Sequence, residues 1–335
     1  MRRTSSGSPL TRVGLPLLIL AVSGALGVAS VWAQQKERVR IGVLTDSWGV
    51  TPATIGLRDG LQALGYREDE HFEFGIRFTS GDIGALPVAA RDLVAAGSDI
   101  IFATSTSAAR AAQQATTVKP IVFAEVASDP VRQGLVRSFA RPGGNITGVS
   151  NLTSELAAKR LEIFKELVPG LKRVLSVYDA ADADAVDAAQ ILRDAARQLG
   201  IQVIERTPRS QEEAREQITR VRRSDVDGIL VSPAGPALNI PGIVLETAAQ
   251  RQLPAMFNGR FWVEQGGLAG YGPDFYESGR LAARLIVKIL KGEKPENIPV
   301  EINSRIDLVI NLKVARSLKL ELGPAVLQRA TLLIE

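Results

Sequence analysis

The stretch KPIVFAEVASDPVRQGLVRSFARPGGNITGVSN, residues 119–151, indicates how the whole chain folds. Residues 121–124 form an apolar run that predicts a buried strand. Residues 125–130 form a polar turn, and residues 131–139 then carry apolar side chains at helical spacing, which predicts a helix. The order strand, loop, helix is the basic unit of an α/β fold.

The end of this stretch predicts a second series of strands and helices. Residues 141–145, RPGGN, break the predicted helix, and the apolar run at 146–149 begins a new strand. A chain that builds one α/β lobe, crosses over and builds another has a cleft between its lobes. Loops at the carboxyl ends of parallel strands bind ligands in such folds, so the turn from Glu125 to Asp129 is a candidate wall of the cleft.

The rest of the chain repeats the alternation of strand and helix. Further strands are predicted at residues 39–44, 72–78, 100–103, 174–178, 201–204, 228–231, 255–257 and 307–311. Helices are predicted at residues 52–64, 86–94, 108–115, 157–168, 185–199, 214–221 and 276–290, with helical turns from 312 to the C-terminus. Strands separated by helices of this length imply parallel sheets in right-handed units. The sequence therefore predicts an α/β protein with two lobes.

Three predicted crossings divide the chain between the lobes. The first lobe is expected to comprise residues 36–150 plus about 272–298, and the second residues 151–271 plus about 299–335. The crossings fall near Asn151, Tyr271 and Pro299. Several crossings make a multi-stranded hinge that can open and close.

The first 33 residues are typical of a secretory signal peptide. Arg2, Arg3 and Arg12 precede an uncharged apolar stretch at 13–31, and Ala33 ends a site of small residues that a signal peptidase reads. The alternative is an uncleaved membrane anchor, since a span needs roughly 20 apolar residues. We expect cleavage after Ala33 and a periplasmic location.

Charge and cysteine content exclude several classes of protein. Three of the 40 basic residues lie in the leader, so the rest of the chain carries 37 basic against 36 acidic side chains. A nucleic-acid-binding protein needs clustered Lys and Arg on one face, which this sequence does not predict. The absence of cysteine excludes disulfides, thiolate chemistry and attachment to lipid through a cysteine.

The residues after the third predicted strand are the strongest local indication of a binding site. Thr104, Ser105, Thr106 and Ser107 place four hydroxyls at the entrance to a helix, beside unpaired backbone N–H groups and the positive end of the helix dipole. A ligand carboxylate fits such a position. The alternative is that one of these residues caps the helix and the others are solvated.

Two other strand ends of the first lobe offer polar or aromatic groups. Glu125 ends a hydrophobic strand, where a carboxylate needs a partner, and a ligand ammonium is one such partner. Asp129 either contacts ligand or caps the segment after Pro130. Asp46, Ser47 and Trp48 follow the first strand; Trp48 either stacks on an apolar ligand or packs at the rim.

The second lobe contributes five candidate residues. Tyr178, Asp179, Ser232 and Asn258 follow predicted strands. Tyr271 lies at a predicted crossing, where it either contacts ligand or braces the hinge. Phe261 and Trp262 sit beside a Gly-rich turn and are interpreted as packing residues.

The residues of common catalytic centres are missing from this sequence. His71 is the single histidine and begins a predicted edge strand, which argues against a Ser-His-Asp or Cys-His centre. No run has the spacing of zinc ligands, and no phosphate-cradling Gly-rich loop follows the first strand. We predict no enzyme activity, no cofactor and no metal; catalysis by Lys or carboxylates remains an alternative.

Several motifs together resemble the substrate-binding proteins of bacterial ABC transporters, in the family that includes the tryptophan-binding lipoproteins. The motifs are IVF at 121–123, SDPV at 128–131, GLV at 134–136, ARPGGNITG at 140–148, YGPD at 271–274, ILKGEKP at 289–295 and LVINL at 308–312. The resemblance covers nearly all of the chain after Arg38. One departure is the missing lipid-anchor cysteine of the better-known relatives, which fits a free periplasmic protein.

The resemblance implies a periplasmic-binding-protein fold of type 1, with two Rossmann-like lobes, a ligand held between them and Thr104–Ser107 facing the cleft. It also implies a small-molecule ligand, for which the better-known relatives suggest an amino acid, an ABC permease in the inner membrane as partner, and a monomeric protein. The sequence leaves two other functions open: a periplasmic sensor for a signalling partner, and a secreted α/β enzyme using carboxylates.

Overall fold

Two β-sheets organise the chain in the computed structural model, which describes residues 38–231 and 238–335. The predicted signal peptide and Ser232 lie outside the described residues. The strands are β1 (Val39–Thr45), β2 (Phe72–Phe78), β3 (Ile100–Ala103), β4 (Ile121–Val126), β5 (Ile146–Ser150), β6 (Arg173–Val177), β7 (Gln202–Arg206), β8 (Gly228–Leu230), β9 (Ala255–Phe257), β10 (Ala269–Pro273), β11 (Glu301–Ile302), β12 (Ile306–Asn311) and β13 (Leu332–Ile334).

Helices connect most of the consecutive strands. They are α1 (Pro52–Ala63), α2 (Leu86–Ala95), α3 (Thr106–Ala115), α4 (Ala157–Leu167), α5 (Ala183–Leu199), α6 (Gln211–Thr219), α7 (Ile240–Arg251), α8 (Arg260–Glu264), α9 (Phe275–Leu290), α10 (Leu312–Ser317) and α11 (Pro324–Arg329). Short 3-10 turns cover Ile83–Ala85 and Pro295–Asn297. Among residues 38–231 and 238–335, no helix has the length and apolarity that crossing a bilayer requires.

The first lobe is built on a six-stranded sheet with the order β11-β5-β4-β3-β1-β2, in which every pair is parallel. Alternate residues of its strands enter two different cores. Ile41 and Phe102 pack with α1 and α9 on one face, while Leu44 and Ile101 pack with α2 and α3 on the other. Apolar runs buried on both faces are what a parallel sheet between helices requires.

The second lobe is built on a seven-stranded sheet with the order β13-β12-β10-β9-β8-β6-β7. Only the pairing of β10 with β12 is antiparallel among its described strands. Val174 and Met256 pack with α4 and α5 on one face, and Leu175 and Phe257 pack with α6 and α7 on the other. The predicted fold class, α/β with two lobes of mainly parallel strands, is confirmed.

The segment after β4 corrects one prediction, because residues 131–139 form turns and no helix. The backbone N–H of Leu135 donates to the carbonyl of Pro130 at 2.9 Å, and Gly134 has φ of +69°. That left-handed residue ends the helical course after a single turn. Apolar spacing alone therefore misassigned this segment. Leu135 and Val136 are buried in the core, but they lie in turns and not in a helix.

The C-terminal part also differs from its prediction. Residues 312–335 contain two helical segments, α10 and α11, but the last residues form β13, which pairs in parallel with β12. The strands β10 and β11 and the helices α7 and α8 were not predicted. Since β11 pairs with β5, residues 301–302 still belong to the first sheet.

Candidate functional site

The carboxyl edge of the first sheet brings together Asp46, Thr104 and Ser105, because β1 and β3 are adjacent parallel strands. Ser105 is the N-cap of α3: its Oγ accepts a hydrogen bond from the N–H of Ala108 at 3.1 Å. The same hydroxyl donates to Asp46 Oδ2 at 2.8 Å. Thr104 is buried beside them, and its Oγ1 has no hydrogen-bond partner.

Glu125 is placed at this edge by an irregularity in β4. The register of β4 with β5 shifts between Phe123 and Val126, and Glu125 has φ of +58°. A bulge re-aims a side chain, and a non-glycine residue in the left-handed region costs about 1–3 kcal/mol, so such residues concentrate at functional sites. The Oε1 of Glu125 is buried and has no hydrogen-bond partner.

Asp46 and Glu125 form an acid pair with unusual ionisation. Burial raises the pKa of Asp46 to about 6, although the hydrogen bond from Ser105 lowers it. Burial and, to a smaller extent, the charge of Asp46 raise the pKa of Glu125 to about 8, although hydrogen bonds from Thr51 and the backbone of Ala53 lower it. Within the described ranges neither carboxylate has an ion-pair partner at hydrogen-bonding range. The acid pair therefore favours a cation from outside the chain.

A second set of contacts joins the first lobe to the start of α5 in the second lobe. Thr106 Oγ1 donates to Asp184 Oδ2 at 2.6 Å, and Gln133 Nε2 donates to Asp184 Oδ1 at 3.2 Å. Ser154 Oγ donates to the carbonyl of Asp184 at 3.1 Å. We call Thr106, Gln133 and Asp184 the interlobe contact. Asp182 caps α5 beside them, and burial, with the charge of Asp184, raises the pKa of Asp182 to about 7.

The three connections between the sheets share one hydrogen-bond network. Ser278 Oγ donates to Asn151 Oδ1 at 2.8 Å. Asn303 Nδ2 donates to the carbonyl of Asp274 and to Ser278 Oγ, each at 2.8 Å. Asn151, Ser278 and Asn303 are all buried, so these bonds hold the crossings together at a common point.

Several predicted site residues of the first lobe take local roles. Asp129 Oδ1 accepts from the N–H of Val131 at 2.7 Å, which closes a turn, because residues 131–139 form no helix for Asp129 to cap. Ser47 Oγ accepts from Thr45 Oγ1 at 2.9 Å and also contacts the backbone of Gly49. The side chain of Trp48 is 60% exposed, so in this conformation it lies in solvent rather than in a packed pocket.

The predicted residues of the second lobe do not form one cluster. Tyr178 is buried against Ala185 and Ala189. Asp179 Oδ1 accepts from the N–H of Ala181 at 2.8 Å, which closes a turn. Asn258 is partly buried directly after β9.

Tyr271 lies in β10, is partly buried, and contacts α4 through its backbone. The carbonyl of Tyr271 accepts a hydrogen bond from Arg160 Nε at 2.9 Å. Its ring packs against the core between α4 and the second sheet. The residue therefore braces α4 against β10.

Two functional candidates were missed by prediction from the sequence. Arg160 is completely buried on α4. The sequence did contain a signal for this burial, because Arg160 has the spacing of one helix face with Ala157 and Phe164, which are apolar. Asp184 lies in the acidic segment after β6, yet nothing local distinguishes it from Asp182. In the described parts of the chain, no cluster of His, Asp and Glu has the arrangement of a metal site.

Comparison with known proteins gives relatives over almost the whole chain. The chain is 25% identical over 323 residues to the "Tyrosine-binding protein" of Clostridioides difficile (strain R20291), which covers 91% of this chain and 92% of that protein. A conserved domain protein from Vibrio cholerae has a similar structure, with a TM-score of 0.81, 29% identity and coverage of 89% of this chain and 100% of that one.

Two other solved structures differ in their ligand state. The ABC domain from Streptococcus pneumoniae in complex with L-Trp matches with a TM-score of 0.79 and 28% identity, covering 89% of this chain and 100% of that one. The ligand-free, open structure of a substrate-binding protein with adhesive properties from Clostridium difficile matches with a TM-score of 0.64 and 25% identity, covering 88% and 99%.

The sequence profile of one family extends across both lobes. It is the family described as ABC transporter substrate binding protein, and it matches residues 38–334. The matched range includes the acid pair, the interlobe contact and the network at the crossings. This protein belongs to the ABC transporter substrate-binding protein family.

Proposed function

We propose that this protein is the extracytoplasmic solute-binding component of an ABC importer and that its ligand is an amino acid held between the two lobes. The observation that carries the proposal is the acid pair Asp46 and Glu125. Two buried carboxylates without a described cationic partner lie at the carboxyl edge of a parallel sheet, where α/β folds bind ligands. A ligand ammonium would pair with Asp46 and would favour the ionised form of Glu125, which keeps its proton at neutral pH in the ligand-free protein.

The relatives support an amino acid over other small cations. One is named a tyrosine-binding protein, and another was solved with L-Trp. The match to the L-Trp complex has a TM-score of 0.79, against 0.64 for the ligand-free, open structure. This difference supports the interpretation that the interlobe contact of our structure belongs to a closed form.

Binding operates by closure. A ligand that contacts both lobes binds the closed form better than the open form and shifts the population toward it. The interlobe contact adds hydrogen bonds that only the closed form makes, and the permease then recognises that form. No bond is made or broken in the ligand, so the protein is a carrier and not an enzyme.

The cellular setting follows from the sequence predictions. We propose that a signal peptide, residues 1–33, directs the chain to the periplasm, where it acts as a monomer without a nucleic-acid partner. The sequence placed the last boundary near Pro299, but β11 pairs with β5, so the lobes are proposed as 36–150 with about 272–302 and 151–271 with about 303–335. Its macromolecular partner is an inner-membrane ABC permease.

The test is to identify the ligand directly. Protein purified from the periplasm is denatured, the released small molecules are identified by mass spectrometry, and the twenty amino acids are then titrated by calorimetry into stripped protein. We expect one amino acid to bind with 1:1 stoichiometry and to be recovered unchanged after incubation. Binding of sugars alone, or conversion of the ligand to a product, would contradict the proposal.

A further inference from the structure

Arg160 is a buried cation whose hydrogen-bonding capacity is mostly unused. Its side chain is 0% exposed. Its Nε donates to the carbonyl of Tyr271 at 2.9 Å, but Nη1 and Nη2 are buried without any hydrogen-bond partner. No ion pair to Arg160 occurs among residues 38–231 and 238–335. A buried charge without a partner is costly, which indicates that a partner arrives from outside the chain.

The hydrogen bond from Arg160 Nε to the carbonyl of Tyr271 places the guanidinium near the crossing that follows β10. Helical side chains lean toward the N-terminus of their helix, so Arg160 leans toward residues 151–156, which precede α4. Those residues are bonded to the backbone that follows Glu125. The N–H of Asn151 donates to the carbonyl of Val126, and that of Ser154 to the carbonyl of Ala127, each at 3.0 Å.

A further unused donor lies in the same segment. Asn151 Nδ2 is buried and has no hydrogen-bond partner, although Asn151 Oδ1 is bonded to Ser278. The unused buried donors of Arg160 and Asn151 are thus on the second-lobe side of this crossing. The unused buried acceptor, Glu125 Oε1, is on the first-lobe side.

Arg160 keeps its charge in this environment. Burial lowers the pKa of Arg160 to about 10, and Tyr271 acts in the opposite direction. The guanidinium is therefore protonated at neutral pH. Arginine presents a rigid fork of N–H groups that matches the two oxygens of a carboxylate.

We propose that Arg160 holds the carboxylate of the ligand through its two free Nη groups, while the acid pair holds the ligand ammonium. This inference rests on the proposed function and narrows its ligand class to α-amino acids whose amino and carboxyl groups are both free. An arginine that only supported β10 would have no use for two enclosed and unsatisfied donors.

The test compares an amino acid with its carboxamide, which lacks the carboxylate. The tightest binder among the twenty amino acids and its carboxamide are titrated into the wild type, Arg160→Met and Arg160→Lys. Arg197→Met, which removes an exposed arginine paired with Asp194 on α5, is the matched control. The wild type should prefer the acid by roughly 100-fold, as expected for a buried charge pair.

Arg160→Met should lose about 100-fold for the acid and almost nothing for the amide, so that its preference disappears. Arg160→Lys keeps the charge without the fork and should retain a smaller preference. Arg197→Met should bind both compounds as the wild type does. The ligand-free Arg160→Met protein should unfold at or above the wild-type temperature, because an unpaired buried charge has been removed.

Two results would overturn the inference while leaving amino-acid binding intact. One is equal binding of acid and amide by the wild type, and the other is an equal loss for both compounds in Arg160→Met. If that variant does not fold, an unchanged acid preference in Arg160→Lys overturns the inference equally. Failure of all twenty amino acids to bind would instead remove the proposed function, and the inference with it.

Discussion

Glu125 combines a left-handed backbone, a shift in strand register and a buried carboxylate at one position. Each feature has a cost, and no described residue neutralises its charge at close range. The position is therefore better suited to recognition than to stability. Asp46 shares the same environment, and its negative charge disfavours the ionisation of Glu125.

We predict that Glu125→Gln stabilises the ligand-free protein in a pH-dependent manner. The pKa of Glu125 in the folded protein, about 8, lies above the ordinary value of 4.5. Between pH 4.5 and pH 8, the folded protein therefore keeps a proton on Glu125 that the unfolded chain has lost. The wild-type free energy of unfolding therefore has its full value with respect to Glu125 below pH 4.5, and it decreases as the pH rises through 8. At about 1.4 kcal/mol per pKa unit, the variant should melt several degrees higher at pH 9.

The measurement is thermal unfolding of both proteins between pH 4.5 and pH 9. The melting temperatures should nearly coincide at the acid end and separate toward the alkaline end. Glu246→Gln, which changes an exposed glutamate on α7 paired with Arg215, serves as the control and should show no such separation. A constant difference at every pH would contradict the assignment of a protonated Glu125.

At the scale of elements, α1 and α9 pack so closely that their glycines are required. A Cβ on Gly279 would lie 2.0 Å from the carbonyl oxygen of Ala53, and one on Gly56 would lie 1.9 Å from that of Tyr276. Both obstacles are backbone atoms, which cannot rotate away. This contact matters for the site because Thr51, the N-cap of α1, lies next to Glu125, and α9 begins at the network between the lobes.

We predict that Gly279→Ala destabilises the protein by about 1–3 kcal/mol, as overpacking does in dense cores. In contrast, Gly170→Ala places a methyl group where no atom lies within 4 Å, and it should be close to neutral. Urea unfolding followed by circular dichroism measures both changes. Equal stability of the two variants would contradict this prediction, because it would show that α1 and α9 can move apart at little cost.

At the scale of the whole molecule, the proposed closure would make ligand affinity depend on the interlobe contact. Thr106 and Gln133 belong to the first lobe, and Asp184 belongs to the second, so their hydrogen bonds break when the lobes part. A bond to a charged group contributes about 1.5–3 kcal/mol. That contribution enters the affinity of any ligand that binds the closed form.

We predict that Thr106→Val and Asp184→Ala each weaken ligand binding and that the double variant is no weaker than the worse of the two. Their coupling should amount to about 1–2 kcal/mol, since neighbours that share a bond are non-additive. Calorimetry on the four proteins of this cycle gives the coupling. Thr219→Val, which removes a hydroxyl bonded only to its own helix, is the control.

Additive effects in that cycle would contradict the interlobe contact and would favour a direct contact of Thr106 with ligand. The ligand-free wild type should also be more expanded in X-ray scattering than the ligand-bound protein. Identical scattering profiles with and without ligand would contradict closure.

Local pattern was sufficient for most elements of this fold. The strands β2, β3 and β9 have the predicted bounds, because apolar runs between Gly- and Pro-containing segments need no distant information. Ser105 caps α3, which is the alternative considered for one of the four hydroxyls after β3. The helix predicted at 131–139 was wrong. Its apolar residues pack into the core of the first lobe from a series of turns, so their helical spacing did not reflect a helix.

The sequence by itself determined an α/β chain with two series of mainly parallel strands, and it placed polar residues at their carboxyl ends. Only the tertiary structure decided which of those residues meet. The bulge at Glu125, the bond between Thr106 and Asp184, and the burial of Arg160 all join parts far apart in the chain. The physical reason is that hydrogen bonds and burial depend on neighbours in space, whereas strand and helix patterns depend on neighbours in sequence.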